Sequence, residues 1–372
     1  MVSLTAVRES NSALPESLIK PTAVFVGATS GIGEATVKQF AAHTTSPKVY
    51  LVGRNRNAAT SIIAELNRLN PDGIYEFIQA DVSMIRNVDA VCEQIKGKEK
   101  KLDVLFLSAG YVTLGGRIGI SPLRFLFKSG IHVFVLFNLN CSPSPENGDG
   151  IESTLALRYY IRLRFVSVLI PLLLQSPSPR VIAILAGGKE APLKESDLEL
   201  RHNYSVVSSA NHSATMTTLS FEHLASLHPS IRFVHNFPGV VKTNIFMPGN
   251  GGDGAGFSVI TSFLMRWIAL PLLTPFTVNV DESGERQLFH LTSAMYPSAS
   301  AEGSADVPLP AGLEVAKGSD GEKGSGVYLL EWNGESTGNQ KLLREFRERG
   351  MPKTIWEHTT SVYDRVTSGS GK

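Results

Sequence analysis

The sequence has little net charge, few cysteines and no apolar segment at its start. Lys and Arg number 35 against 34 Asp and Glu, which gives a net charge of +1. A nucleic-acid binder usually carries a basic surplus, so this balance argues against that class of function. The two cysteines, Cys92 and Cys141, are too few for a disulfide framework or a cysteine-rich zinc site. With 372 residues and a hydrophobic content of 42%, the chain can form a globular core.

No signal for secretion or membrane insertion stands out. The first residues lack the apolar core of a secretory signal, so we expect a cytoplasmic protein. The longest apolar stretch, 257–278, is interrupted by Arg266, Pro271 and Pro275. These interruptions favour a buried or lid helix over a transmembrane span, and they leave a peripheral membrane contact open. We therefore predict no transmembrane span.

Short apolar strands alternate with helical segments along most of the chain. The predicted strands cover 22–26, 49–52, 75–82, 102–107, 181–185, 231–237 and 327–332. The predicted helices cover 34–42, 58–69, 88–95, 151–174 and 213–227. This alternation predicts a single α/β domain with a doubly wound parallel sheet, helices on both faces and an extended C-terminal region.

The domain has flanking and inserted segments of different composition. We divide the chain into an N-terminal extension (1–20), the α/β domain (21–366) and a disordered tail (367–372). Within the domain, 298–323 is rich in Ser, Gly, Pro and Ala and is expected to form a surface loop. The apolar segment 118–142 lacks clear periodicity and is unusually long for a loop. Our hypothesis is a translated intron, and the alternatives are a hydrophobic lid over the substrate or a functionless insertion.

Three glycines lie between the first predicted strand and the first predicted helix. Gly27 permits a tight turn, Gly31 lets the backbone approach a pyrophosphate, and Gly33 allows close packing of helix on strand. The helix that follows offers free N–H groups and the positive end of its dipole to a phosphate. The pattern favours a nucleotide-binding turn over a turn that is merely glycine-rich.

Four motifs, in this order, resemble those of the short-chain dehydrogenase/reductase family. The glycine turn 27–33 (GATSGIG) is similar to TGxxxGxG, and 107–110 (LSAG) is similar to NNAG with both asparagines replaced. Asp81-Val82 resembles an adenine-contacting pair, and Pro238-Gly239 with Thr243 resembles the family's nicotinamide-side motif. The resemblance implies a Rossmann-like fold, a nicotinamide cofactor and a possible homo-oligomer formed through two helices. The implied cofactor-binding residues are Gly27, Thr29, Ser30, Gly31, Ile32, Gly33, Asp81, Val82, Ser108, Ala109, Gly110, Pro238, Gly239, Val241 and Thr243.

Two arginines follow the second predicted strand, where nicotinamide enzymes select their cofactor. An acidic residue there suits the ribose 2′-hydroxyl of NAD, whereas an arginine suits the 2′-phosphate of NADP. Arg54 and Arg56 occur in this stretch and no acidic residue does. We therefore predict NADP(H), and the alternative is that both arginines are solvated loop charges.

The catalytic residues that the resemblance implies are absent from their expected positions. The positions of the family's serine, tyrosine, lysine and asparagine are held by Ala186, Ser208, His212 and Arg158. Tyr204 and His212 remain as candidates for acid/base catalysis, because a phenol or an imidazole can transfer a proton. The alternatives are a packed tyrosine and an ordinary helix histidine. Two other candidate phenols are Tyr159 and Tyr160.

The leading functional prediction is an NADP(H)-dependent oxidoreductase that acts on a carbonyl or alcohol of a small apolar metabolite. The bulk of 257–278, at the family's lid position, favours a polyketide- or terpenoid-like substrate. The long C-terminal part is similar to that of fungal secondary-metabolism members. The altered catalytic positions leave two alternatives open. One is a non-redox isomerase, dehydratase or cyclase, and the other is a cofactor-binding pseudoenzyme that acts through a partner.

Overall fold

The chain folds around a parallel β-sheet. The structure, a computed structural model, describes residues 1–110, 146–241, 277–300 and 307–369. In these ranges seven strands pair in the order β3-β2-β1-β4-β5-β6-β7, and every pairing is parallel. The strands are β1 (Thr22–Val26), β2 (Lys48–Gly53), β3 (Ile74–Gln79), β4 (Val104–Leu107), β5 (Arg180–Ile184), β6 (Arg232–Asn236) and β7 (Val327–Leu330). All seven predicted strands are present, and the predicted fold class is confirmed.

Helices pack on both faces of this sheet. They are α1 (Leu4–Ser12), α2 (Leu14–Ser17), α3 (Gly31–His43), α4 (Arg56–Leu69), α5 (Ile85–Lys96), α6 (Ser153–Leu155), α7 (Ile161–Leu173), α8 (Val206–Leu227), α9 (Val280–Thr292), α10 (Gln340–Glu348) and α11 (Met351–Ser368). A π-helical turn, Ala156–Tyr160, joins α6 to α7 within the predicted helix 151–174. Helix α8 begins earlier than predicted because the Ser205 hydroxyl caps it by accepting the Ser208 N–H.

Successive strand residues point to opposite faces of the sheet, as the strand period requires. Val24 and Leu105 pack into a layer with residues of α5, α7, α8 and α11. Phe25 and Phe106, their neighbours in the chain, pack into the other layer with residues of α1, α3, α4 and α9. Both faces are therefore buried, which explains why the strand sequences are continuously apolar.

Several elements were not predicted from the sequence. Helix α9 lies against α3 so closely that a Cβ at Gly284 would be 2.8 Å from the Ala35 backbone. Helix α11 packs on α8 and extends through Ser368, so Thr367 and Ser368 are helical although the predicted tail begins at Thr367. In the described part of 298–323, neither a helix nor a ladder strand forms.

The described ranges contain no helix with the length and apolarity needed to cross a bilayer. The segment 118–142, most of 257–278 and Thr243 lie outside the described residues. The strand order reverses between β1 and β4, and such a switch point forms a ligand crevice at the carboxyl ends of the strands.

Candidate active site and cofactor crevice

The turn after β1 contacts the end of β4 directly. Gly27 has a φ of +91°, and a Cβ on it would lie 2.4 Å from the Ala109 nitrogen. A Cβ on Gly33 would lie 2.6 Å from the Ser108 hydroxyl oxygen and 2.7 Å from the Gly27 carbonyl oxygen. Real Cβ atoms do not approach this closely, so both positions require glycine. The crevice at the switch point is therefore built on glycine–backbone contacts between two strand ends.

Ser108 fixes this contact with its side chain. Its hydroxyl lies within hydrogen-bond distance of the carbonyl oxygens of Val26 (3.2 Å) and Gly27 (3.3 Å), and its N–H donates to the first of them. The resemblance has an asparagine at this position, and here a serine ties the end of β4 to the glycine turn. Ala109 is half-buried and Gly110 is exposed, so the chain leaves the sheet at this point.

Helix α3 directs its N-terminus toward the crevice. Ser30 occupies the N-cap position but its side chain makes no capping hydrogen bond. Gly31 and Ile32 in the first turn are only partly buried. The first N–H groups of a helix lack partners within the helix and carry its positive dipole end, which suits a phosphate. Because glycine also keeps side chains out of the turn, the residues present fit a dinucleotide pyrophosphate.

The two arginines after β2 differ in their surroundings. The Arg56 Nε donates to the Gln79 side-chain oxygen at 2.9 Å, and its guanidinium lies 5.7 Å from the centre of the Phe77 ring. Arg54 is exposed, and its carbonyl accepts the Gln79 side-chain amide at 3.1 Å, while its guanidinium has no hydrogen bond or ion pair with the described part of the chain. Thr29 lies nearby, because a Cβ on Gly53 would be 3.0 Å from its methyl carbon. Of the two arginines, Arg54 is therefore the one whose guanidinium is available to the 2′-phosphate of an NADP(H) cofactor.

Asp81 and Val82 follow β3 at the same edge of the sheet. Asp81 is exposed, and its carboxylate accepts the Ser83 N–H at 3.1 Å. The Asn87 amide donates to the Asp81 carbonyl at 2.8 Å, and Val82 is buried. These bonds hold the loop while one Asp81 oxygen remains without a partner among the described residues.

Pro238, Gly239 and Val241 follow β6, also at the carboxyl edge. Gly239 has a φ of +72°, and a Cβ on it would lie 3.3 Å from the Trp332 ring. Val241 is buried and forms a parallel bridge with Val278. Parallel strands place all these loops at one edge of the sheet, so the described cofactor residues line a common side of the molecule.

The catalytic candidates lie at and near the start of α8. Tyr204 is half-buried and immediately precedes the cap residue Ser205, so it lies just outside the helix. His212 is buried in the helix. Its Nε2 accepts the Lys194 N–H at 3.0 Å, since a backbone N–H can only donate, and its Nδ1 therefore donates to the Leu198 carbonyl at 3.3 Å.

These contacts bind His212 to the loop before α8. Burial lowers the pKa of His212, so the imidazole is neutral and both of its nitrogens are occupied. This arrangement is that of a structural histidine, and a catalytic role for His212 stays a prediction. A catalytic role for Tyr204 likewise stays a prediction.

The other two candidate phenols, Tyr159 and Tyr160, are buried and hydrogen-bonded within the core. The Tyr159 hydroxyl bonds to the hydroxyls of Ser220 and Thr359, and the Tyr160 hydroxyl lies 2.9 Å from the His358 Nε2. Burial raises the pKa of Tyr159 to about 12. Arg158, at the asparagine position, is half-buried in the π-helical turn.

Sequence reasoning missed a buried polar network beside the serine position. The Glu190 Oε1 accepts the Gly188 N–H at 3.0 Å and the Thr218 hydroxyl at 2.8 Å. The His235 Nδ1 lies 2.9 Å from the same hydroxyl, and its Nε2 accepts the Ala186 N–H at 3.2 Å. Burial raises the pKa of Glu190, and it lowers the pKa of His235 to about 3, so the imidazole is held neutral. The network joins β6, α8 and the loop after β5.

A buried arginine below the crevice was also missed. The Arg162 Nη1 donates to the carbonyls of Leu107 (3.0 Å) and Ile184 (2.8 Å), and its Nη2 donates to the carbonyl of Ala109 (2.7 Å). Its Nε donates to the Leu157 carbonyl at 3.3 Å. A basic residue in an apolar helix gave no sign that its acceptors would be backbone carbonyls on separate elements.

Comparisons with known proteins agree in family and fold. A sequence model for short chain dehydrogenases matches residues 21–131. The chain is 43% identical over 366 residues to oxidoreductase AN1596 of Emericella nidulans, with 98% of this chain and 99% of that protein covered. It is 37% identical over 373 residues to oxidoreductase andH of Emericella variicolor, with 100% and 99% covered.

A solved structure has a similar fold. The NADPH-bound carbonyl reductase from chicken fatty liver superposes with a TM-score of 0.50 and 17% identity. The match covers 87% of this chain and 100% of that one. At this identity the likeness concerns the fold alone.

Proposed function

The chain belongs to the short-chain dehydrogenase/reductase family, and on that premise we propose that it is an NADP(H)-dependent oxidoreductase of a small apolar metabolite. The reacting group is a carbonyl or the corresponding alcohol. The observation that carries the proposal is the glycine turn packed on the end of β4 beside the uncapped N-terminus of α3. This arrangement leaves space and N–H donors for a dinucleotide.

Each part of the crevice has a role in holding the cofactor. The first turn of α3 binds the pyrophosphate, and Arg54 binds the 2′-phosphate because its donors are not otherwise used. Asp81 and Val82 contact the adenine, residues 108–110 contact the nicotinamide ribose, and Pro238, Gly239, Val241 and Thr243 contact the nicotinamide side. When bound, the cofactor supplies or accepts the hydride.

The chain itself must deliver or remove the proton on the substrate oxygen. Tyr204 is our candidate for this group, since it is a half-buried phenol at the start of α8. With Ala186 in place of the serine, the substrate carbonyl is oriented by other groups, and the N–H of Ala186 is already engaged by His235. His212 then supports the loop that leads to Tyr204.

The substrate class is inferred from the chain and its relatives. The apolar stretch 257–278 favours a polyketide- or terpenoid-like ketone, and the match to fungal oxidoreductases is consistent with a role in secondary-metabolite biosynthesis. A homo-oligomer and a cytoplasmic location are further predictions. Light scattering of the purified chain and imaging of a tagged protein test these two.

A turnover assay tests the proposed function. The full-length chain is incubated with NADPH or NADH and a panel of apolar ketones, and both cofactor absorbance and products are followed, with Tyr204→Phe as the matched variant. The proposal expects NADPH oxidation in step with alcohol formation. Products without cofactor oxidation indicate the non-redox alternative. Tight NADPH binding without any product across the panel contradicts an oxidoreductase and favours a pseudoenzyme.

A further inference from the structure

Arg162 is a buried cation that has no carboxylate partner among the described residues. It is 2% exposed, and each of its hydrogen bonds in the described chain goes to a backbone carbonyl. Burial lowers its pKa to about 9, and the neighbouring charge of Arg158 acts in the same direction. The guanidinium therefore stays charged at neutral pH. The carbonyl dipoles solvate the charge without cancelling it.

The position of this charge is defined by its acceptors. Leu107 and Ala109 are at the carboxyl end of β4, and Ile184 ends β5. A Cβ on the exposed Gly110 would lie 3.5 Å from the Arg162 Nη2. The guanidinium thus lies against the backbone at the ends of β4 and β5, beside the switch point.

The buried charge of Arg162 interacts electrostatically with a ligand bound in the crevice. Low polarisability in the interior strengthens electrostatic interactions well beyond their value in water. The effect already reaches His235 on β6, whose pKa the Arg162 charge lowers in addition to the larger effect of burial. Because NADP+ and NADPH carry the same phosphates, a fixed charge distinguishes them through the nicotinamide ring, which is cationic only when oxidised.

We propose that Arg162 clamps the ends of β4 and β5 and, through its charge, makes the crevice bind the reduced nicotinamide cofactor in preference to the oxidised one. The inference rests on the proposed function, since it needs a nicotinamide cofactor in the crevice. It assigns Arg162 a positioning and electrostatic role without contact with the substrate. A clamp alone would affect the affinities for NADPH and NADP+ equally.

The test separates the charge from the clamp. Wild type, Arg162→Lys and Arg162→Gln are titrated with NADPH and with NADP+, and the ratio of the two dissociation constants is compared. Lysine keeps the charge with a different donor geometry, whereas glutamine keeps two N–H donors without the charge. We expect wild type and R162K to bind NADPH more tightly than NADP+. In R162Q the ratio of the two dissociation constants should shift roughly tenfold toward NADP+, which corresponds to about 30 mV in the reduction potential of the bound couple.

The outcomes are distinguishable. An equal ratio in all three proteins overturns the inference, even if both affinities fall. A wild-type chain that binds neither cofactor contradicts the proposed function instead. If R162Q does not fold by circular dichroism, Gly110→Asp and Gly110→Asn replace it, because their side chains are similar in size and differ in charge beside the guanidinium. The aspartate should then lower the preference for NADPH relative to the asparagine, and equal ratios overturn the inference.

Discussion

Gly27 and Ala109 approach so closely that a Cβ on the glycine would lie 2.4 Å from the alanine nitrogen. The two residues are far apart in sequence, at the ends of the central strands β1 and β4. Their contact joins the glycine turn, which we assign to the pyrophosphate, to the strand end that we assign to the nicotinamide ribose. The crevice is therefore sensitive to any side chain at position 27.

Replacing Gly27 by alanine should abolish tight NADPH binding and lower the melting temperature. Alanine at positive φ costs about 1–2 kcal/mol, and here the contact with Ala109 adds to that cost. The matched control is Gly312→Ala, since Gly312 has a φ of +84° but open space around it. Calorimetric NADPH titration and thermal unfolding of both variants check this. Equal losses in the two variants would show that the close contact is unimportant.

Replacing Arg54 by alanine should weaken NADPH binding by about tenfold to a hundredfold and leave NADH binding unchanged. Arg56→Ala should have a smaller effect, because Arg56 is already bonded to Gln79. Fluorescence titrations of both variants with both cofactors measure these differences. A larger loss in R56A than in R54A would reverse the assignment.

Tyr204→Phe should reduce turnover by roughly a hundredfold or more while NADPH affinity stays the same, if the phenol donates the proton. His212→Ala should instead lower stability by about 1–3 kcal/mol, because the Lys194 N–H and the Leu198 carbonyl lose their partner. Steady-state kinetics and urea unfolding separate the two effects. Full activity in Y204F would remove Tyr204 from the mechanism.

Stability should fall on acidification below pH 6.5, and His235 should account for part of the slope. The folded chain holds this imidazole neutral with a pKa of about 3 against an ordinary 6.5, so only the unfolded chain takes up the proton in that window. Each such group contributes about 1.4 kcal/mol per pH unit. Urea unfolding of wild type and His235→Gln between pH 5 and 6.5 should show a shallower slope for the variant. Parallel slopes would mean that His235 titrates normally.

Helix α11 should be needed for a stable fold. Ile355 is fully buried against the layer that contains α8, whereas Thr354 is exposed. Ile355→Asp should cost more than about 3 kcal/mol and promote self-association, because an unpaired buried carboxylate would displace α11 and expose the apolar face beneath it. Thr354→Asp should change stability little. Thermal unfolding and light scattering compare them, and equal melting temperatures would contradict the assigned packing.

The strands were predictable because burial on both faces makes them continuously apolar. Helix α9 was not, since Ser283, Gln287 and His290 are buried in it and its close packing depends on Gly284. Its sequence has the polarity of a surface segment. Only the tertiary contact with α3 shows why these residues form a buried helix.

The candidate site was predictable where a motif encodes local geometry. The glycines at 27 and 33 predicted a phosphate-binding turn from the local sequence. The contact of Gly33 with Ser108, by contrast, depends on a strand that is distant in sequence. Arg56 is engaged by Gln79 in β3 whereas the Arg54 guanidinium is not, and the local sequence around the two arginines does not predict this difference. Arg162 and Glu190 draw their partners from several elements, so their roles emerge only from the folded chain.

The most direct test of the account is a fluorescence titration of the full-length chain with NADPH and, in parallel, NADH. We predict saturable binding of NADPH that is at least roughly tenfold tighter than that of NADH, because Arg54 adds a charge-assisted contact to the 2′-phosphate. Equal affinities would contradict the NADP(H) assignment. Binding of neither cofactor by the folded chain would contradict the central claim that the contact of Gly27 with Ala109 forms a working dinucleotide crevice.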